Sequence, residues 1–198
     1  MKNQTITVII VCLLSFCCYQ SSVFADQSVK AVTTISFGEY LTGDGDSSLY
    51  GTQISLERAV VFHDQWAYFL GLSSASANGE YVAENGTITS LSSSTTTISG
   101  GVKRSFQVEE ISQLLPFIGA GISIQNYNYQ FSYSDSNIGD TSGIGMGPLF
   151  NAGVRIDLLK QFVLIPSYNF SQIFIHSEKS ELYGVTSSGF SLALIFRF

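Results

Sequence analysis

The sequence predicts an all-β protein, an eight-stranded antiparallel up-and-down transmembrane β-barrel, and three observations lead there. The chain closes on Phe190, Leu192, Leu194, Phe196 and Phe198, apolar at every second position, with Gly189, Ser191, Ala193 and Arg197 between them. A side-chain period of two is a strand with one greasy face, and in water such a final strand is an aggregating edge unless lipid covers it and a neighbour closes it. Beyond the N-terminal segment no long apolar run remains, so a chain that meets lipid is left with a closed barrel. Segments of about ten residues alternate in polarity and are separated by turn chemistry along the remaining length.

The N-terminal segment reads as a leader. Lys2 precedes an apolar stretch from Ile6 to Cys18, broken only by Thr7 and Ser15, and Val23-Phe24-Ala25 place small or branched residues where a signal peptidase reads. The stretch is shorter than the roughly 20 apolar residues of a spanning helix. The expected organisation is therefore a signal peptide over 1–25 and one outer-membrane β-barrel domain over 26–198. Cys12, Cys17 and Cys18 all fall in the leader, so residues 26–198 carry no thiol, which excludes disulfides, cysteine zinc sites and cysteine nucleophiles. Removing the leader's single charged residue, Lys2, leaves 8 basic against 15 acidic residues. A chain this acidic, without a basic run, is not expected to bind nucleic acid. Charged residues make up 12% of the chain against about 25% in soluble domains, which again points away from an all-round aqueous surface.

The elements follow in order. Strand one spans about Val29 to Tyr40, with Ala31, Thr33, Ile35 and Phe37 on one face, and Thr42 to Ser48 break it. Strand two, about Leu49 to Phe62, sets Tyr50, Ile54, Leu56, Val60 and Phe62 against Gly51, Gln53, Ser55, Glu57 and Ala59; His63-Asp64-Gln65 is a tight return. Strand three, about Trp66 to Ala77, carries Trp66, Tyr68, Leu70 and Leu72 on one face before a Ser/Thr-rich loop from Asn78 to Ser94. Strand four runs from about Thr95 to Val108. Strand five, Leu114 to about Tyr129, opposes Pro116, Ile118, Ala120, Ile122 and Ile124 to Gly119, Gly121, Ser123 and Gln125. Strands six (about Gly145 to Leu158) and seven (about Phe162 to Phe174) meet at a turn near Lys160, and a polar stretch from His176 to Ser188 precedes strand eight.

Leu115-Pro116-Phe117-Ile118-Gly119-Ala120-Gly121 and Asn151-Ala152-Gly153-Val154-Arg155-Ile156-Asp157 resemble the recurring strands of the small outer-membrane barrels that include the opacity-type proteins. The ending Phe190, Leu192, Leu194, Phe196, Phe198 resembles the terminal signature of such barrels. That resemblance implies delivery to the outer membrane of a Gram-negative cell by the barrel-assembly machinery, contact with outer-membrane lipid and lipopolysaccharide, and adhesion to a host or surface ligand through the loops.

Connections after strands one, three, five and seven read as long and polar, the others as short, which is the asymmetry of a barrel with both ends in the periplasm. Eight strands enclose a lumen that side chains fill. Parity places Gln53, Ser55, Ser105, Gln107, Gln125, Asn151 and Asn169 inside, together with a charge network of Glu57, Lys103, Arg155, Asp157 and Arg197, with Arg155 the expected central base because its planar fork serves two carboxylates. The lumen is then a structural plug or a gated conduit. Arg58 and Arg104 take the outward parity near the periplasmic ends, where arginine reaches headgroups.

Tyr127, Tyr129, Phe131 and Tyr133 form an aromatic stripe on the inward parity. Either a bulge near Asn126 turns it outward as an interfacial girdle, or the strand continues above the membrane and offers a contact stripe for a glycan, a protein or an apolar ligand. Enzyme chemistry is not expected. His176, Ser177 and Glu178 supply the residue types of a lipid deacylase, but neighbours on a strand point to opposite faces, and His63 lies in a turn at the other end. No metal-spaced cluster or phosphate loop calls for a cofactor. The expected function is a non-enzymatic barrel whose loops serve adhesion or envelope integrity, with a small channel or hydrophobic-ligand conduit as the alternative and a lipid A-modifying enzyme behind both.

Overall fold

Alternating polarity becomes eight strands: β1 (Ala31–Gly43), β2 (Ser48–His63), β3 (Trp66–Val82), β4 (Ile88–Ser105), β5 (Leu114–Tyr133), β6 (Ile138–Leu159), β7 (Phe162–His176) and β8 (Leu182–Phe196). In this computed structural model each strand pairs antiparallel with the next, and β8 pairs with β1 to close the barrel. The structure describes residues 31–198 apart from 44–47, 64, 83–87, 110, 112, 134–137, 160–161, 177–181 and 197–198. The expected leader, Arg197 and Phe198 lie outside the described residues.

Side chains sort by parity. Ile35, Phe37, Ile54, Leu70, Ile98, Ile122, Phe150, Leu192 and Leu194 are exposed on the outer wall, while Ser36, Ser123, Asn151, Ser171 and Ser191 are buried inside. Polar groups turned inward and apolar groups turned outward invert the pattern of a soluble barrel, and the wall is dry only if something apolar surrounds it. No helix among the described residues is long and apolar enough to cross a membrane.

The strands begin where expected at Trp66, Leu114 and Phe162, but at the end away from the termini they run further. β3 continues to Val82, β4 starts at Ile88, β6 starts at Ile138 and β8 at Leu182. Most of the expected long loops at Asn78 to Ser94, Ser132 to Ile144 and His176 to Ser188 are therefore paired strand. Backbone pairing needs no apolar face, and serine and threonine alternate there in unbroken register. The expected contrast of long and short loops is corrected in a second way. The stretch between Ser105 and Leu114, eight residues at the terminal end, is longer than the gap at any far-end connection. It is bonded back by Phe106 N to Pro116 O (2.8 Å) and by Asp157 N to Gln113 O (2.9 Å). With β4 ending at Ser105, Gln107 is exposed and does not enter the lumen.

Strand length has a consequence for height. β5 has 20 residues; at about 3.3 Å per residue and a tilt of about 40° it climbs about 50 Å, twice an apolar band of about 25 Å. On β3, β4 and β5 the apolar band ends on one register row, Leu72–Ile98–Ile124, while on β6 it runs one step past Met146 to Ile144, 69% exposed. Beyond that row the outer face of β3, β4 and β5 turns to Ser76, Ser94 and Asn128, then Asn78, Ser92 and Gln130.

Candidate functional site

The lumen is where the expected charges converge. At the terminal end Arg155 and Asp157, two residues apart on β6 and so on one face, pair through Nε to Oδ1 at 3.0 Å and Nη2 to Oδ2 at 3.4 Å. One level further in, Lys103 on β4 donates to both carboxylate oxygens of Glu57 on β2 at 2.5 Å. Its ammonium also stands 4.9 Å from the Phe69 ring and 5.0 Å from the Phe117 ring, so aromatic faces supply the remaining cation contacts. Phe117 has room because Gly153 faces it: a Cβ there would lie 2.6 Å from the ring. Among the described residues Arg155 meets Asp157 and Lys103 meets Glu57, so Arg155 is not the base that serves both carboxylates. The reason is geometric, because Arg155 meets the acid of its own strand while Lys103 reaches across the barrel to Glu57. Arg197 is outside the described residues.

Above this pair lies a cavity of about 90 Å³, lined among others by Ser55, Ser73, Ser99, Ser123, Asn151 and Asn169, large enough for a few waters. Asn151 Oδ1 is buried there without a hydrogen-bond partner, which marks it as an acceptor for such water. Tyr40 closes the cavity from above. Its hydroxyl on β1 meets Gln125 Nε2 (3.0 Å) of β5, Ser187 Oγ (3.1 Å) of β8 and Thr95 Oγ1 (3.5 Å) of β4, and Thr42 adds a bond to Ser187 at 3.2 Å. The sequence reading missed Tyr40 as a lumen residue. Its trace in the sequence is a lone large ring on the parity of Thr34, Ser36 and Gly38, at the last residue of the expected first strand.

Beyond Tyr40 the interior turns apolar. Leu49, Ala75, Ala77 and Leu91 form one cluster and Tyr127, Ile173 and Val185 another, with Tyr129 packed against both. Tyr127 is 7% exposed and Ile173 1%. The Tyr127 and Tyr129 rings sit 5.5 Å apart, and Gly143 leaves the space for Tyr127, since a Cβ there would come within 2.5 Å of its hydroxyl. Register runs unbroken through Asn126 to both neighbouring strands, so the girdle made by a bulge is corrected. Tyr127 is core and presents no contact surface. Phe131 and Tyr133 lie on β5, with side chains outside the described residues.

On the outer wall Phe190, Leu192 and Leu194 are exposed on β8, and Phe196 ends that strand. Arg104 is exposed near the terminal end, 5.4 Å from Trp66 and 5.3 Å from Phe106, while Arg58 is half-buried. His63 is exposed at the end of β2, His176 ends β7, and Ser177 and Glu178 lie outside the described residues. Among the described residues no group of histidine, cysteine, aspartate or glutamate could hold a metal ion.

Comparison of this barrel with solved structures returns proteins of one architecture. Neisserial surface protein A matches with a TM-score of 0.55 at 15% identity, over 85% of this chain and 99% of that one. The fold is that of the small eight-stranded outer-membrane barrels. The Ail attachment invasion locus protein of Yersinia pestis, solved with the heparin analogue sucrose octasulfate, matches at 0.52 and 16% identity over 84% and 97% of the two chains. A major outer membrane protein of Thermus thermophilus matches at 0.53 and 10% identity over 84% and 100%. No family model and no curated protein matches the sequence. In barrels of this fold an outward apolar band is the wall turned to lipid, and here Arg104 stands 5.4 Å from the Trp66 ring near the terminal edge of that band.

Proposed function

We propose that the chain is a non-enzymatic barrel of the bacterial outer membrane, a closed scaffold whose far end stands outside the cell and serves surface contact or envelope integrity. The observation that carries this reading is the lumen, obstructed at two levels. Near the periplasm the Lys103–Glu57 pair is wedged between Phe69 and Phe117. Outside, the Tyr40 bonds sit under the apolar clusters of Leu49, Leu91, Tyr127 and Ile173. An ion crossing these levels would shed its water against apolar groups, at a cost of many kcal/mol. Lipid and lipopolysaccharide then surround the wall, the assembly machinery delivers it, and a host or surface ligand meets the part beyond the membrane.

The conduit reading retains one supporting observation, the polar cavity between the two obstructions. Planar-bilayer recording separates the two. The closed scaffold is silent while the same preparation shows heat-modifiable folding on gels; discrete openings from the folded chain would replace it with the conduit. A lipid A-modifying role has the least support, because His63 is exposed at the terminal end, and His176, which ends β7 at the far end, has Ser177 as its immediate neighbour in sequence, a spacing that does not suit a nucleophile and base pair on a strand.

A further inference from the structure

We propose that the outer wall of β1 and β2 is a lane along which zwitterionic phospholipids exchange between the two leaflets, an activity of lipid equilibration that uses the outside of the barrel and not its lumen. This rests on the outer-membrane placement above, which turns the outer wall to lipid.

The apolar wall is not of one height. On β6 every outward residue from Leu158 to Ile144 is apolar, and the residues at both ends are exposed. At about 3.3 Å per residue and a tilt of about 40° that stretch rises about 35 Å, beyond an apolar band of about 25 Å. On β1 only Ile35 and Phe37 stand between Thr33 and Glu39, and on β2 only Leu56 and Ile54 stand between Arg58 and Thr52. Register joins these residues row by row, as Thr33–Arg58, Ile35–Leu56, Phe37–Ile54 and Glu39–Thr52. The two polar rows are therefore about 15 Å apart on the same reckoning. Tilting the barrel does not even this out. In the closed order of strands β1 and β2 lie across from β5 and β6, and a tilt moves one wall up and the other down while leaving both lengths as they are. A short lipid-facing wall is met by local thinning of the bilayer and by entry of water and headgroups.

The charges of the short wall lie one at each end. Arg58, half-buried and flanked in register by Thr33 and Leu70, has Val60 and the exposed Phe62 on its terminal side, so it interrupts the apolar wall instead of edging it. An arginine so placed on a lipid face is destabilising, and a charge kept there against that cost points to a role in moving charged groups. Phosphate drawn to its guanidinium has already left the headgroup layer. Glu39, exposed at the other end, takes an ammonium and repels a bare phosphate. A headgroup that carries both charges thus finds a station at each end of the lane, whereas an anionic one finds only the first. Beside Glu39 a shallow groove of about 950 Å³, lined by Phe37, Thr52, Ile54, Phe190 and Leu192, gives the chains of the turning lipid an apolar bed.

The test reconstitutes the folded chain in phosphatidylcholine vesicles that carry, in both leaflets, a trace of phosphatidylethanolamine with a short fluorescent acyl chain. Serum albumin, too large for any eight-stranded lumen, extracts only the label that reaches the outer leaflet. Empty vesicles should release the outer share alone, and vesicles with the barrel nearly all of it. Arg58→Leu with Glu39→Leu should slow the exchange by about tenfold. Heat-modifiable folding should survive, because both substitutions put apolar side chains on a lipid face. Phosphatidylglycerol with the same label should exchange several times more slowly than phosphatidylethanolamine, and Glu39→Gln should bring the two together. Extraction no deeper than from empty vesicles, an undiminished rate in the double variant, or equal rates for the two headgroups in the parent chain would each overturn the proposal. A folded barrel that exchanges no lipid loses the lane and keeps the closed scaffold, whose own test is conductance.

Discussion

The lower and upper halves of this barrel are built on the same strands, in the same register and with the same inward parity, yet their two faces exchange chemistry. On β5, Ile118, Ile122 and Ile124 face outward and Ser123 and Gln125 inward; a few residues on, Asn126 and Asn128 face outward and Tyr127 and Tyr129 inward. The backbone does not change. On the proposed outer-membrane placement what changes is the surrounding medium: lipid makes a polar interior affordable and an apolar exterior necessary, whereas water demands an apolar core. Below the Leu72–Ile98–Ile124 row the interior holds ion pairs and hydroxyls; above it Leu49, Leu91, Tyr127, Ile173 and Val185 form the core a water-exposed barrel needs.

The largest expected effect tests whether the upper half is held by that core. Tyr127→Ala empties the space facing Gly143 and uncovers Ile173 and Val185, and truncation of a large buried ring costs about 3 to 5 kcal/mol. Urea unfolding of the barrel in lipid, followed by tryptophan emission from Trp66, measures it. A loss below about 0.5 kcal/mol, within the range of ordinary surface changes, would mean that the upper interior is not a packed core.

Charge inside the lower half gives the next effect, and it divides unequally. Lys103→Met leaves Glu57 beside two rings without its cation; both side chains are largely buried, at 14% and 26% exposure, so the loss approaches the roughly 3 kcal/mol of a broken buried pair. Adding Glu57→Gln should restore more than half. Arg155 and Asp157, each 29% exposed, behave as a more solvated pair, and Arg155→Ala should cost about 1 kcal/mol or less. Equal losses at Lys103 and Arg155 would return the lumen to a single network.

The two halves were also unequally legible. Strand number, parity and the starts at Trp66, Leu114 and Phe162 follow from turn residues and from apolar side chains repeating on one face. The far ends extend past the expected ones because the apolar repeat stops at the Leu72–Ile98–Ile124 row, while hydrogen bonding between Ser/Thr-rich strands continues to Val82 and Ile88. Tyr127 and Tyr129 carried the missing information: aromatics that keep the inward parity past the last outward isoleucine signal a change of medium. Parity places Glu57 and Lys103 in the lumen, but their pairing with each other is not legible, since β2 and β4 are not adjacent and only closure of the barrel brings residues 46 apart in sequence across the lumen.

A smaller effect than the loss of Lys103 tests the boundary itself. Ile122→Arg and Asn128→Arg place the same side chain on the same outer face of β5, on opposite sides of Ile124. Ile122 is 62% exposed, and in water its replacement would be nearly neutral. In lipid, arginine costs about 2 to 4 kcal/mol near the midplane and falls toward zero at the interface. Ile122→Arg should therefore destabilise the barrel in lipid by about 2 kcal/mol, and Asn128→Arg should stay within about 0.5 kcal/mol of the parent. Repeating both in bilayers with shorter acyl chains sharpens the result, because a thinner hydrocarbon layer moves the interface toward Ile122 and should shrink its penalty while leaving Asn128 unchanged. Equal costs for the two would erase the boundary at the Ile124 row, and with it the separation of the barrel into a lipid half and a water half.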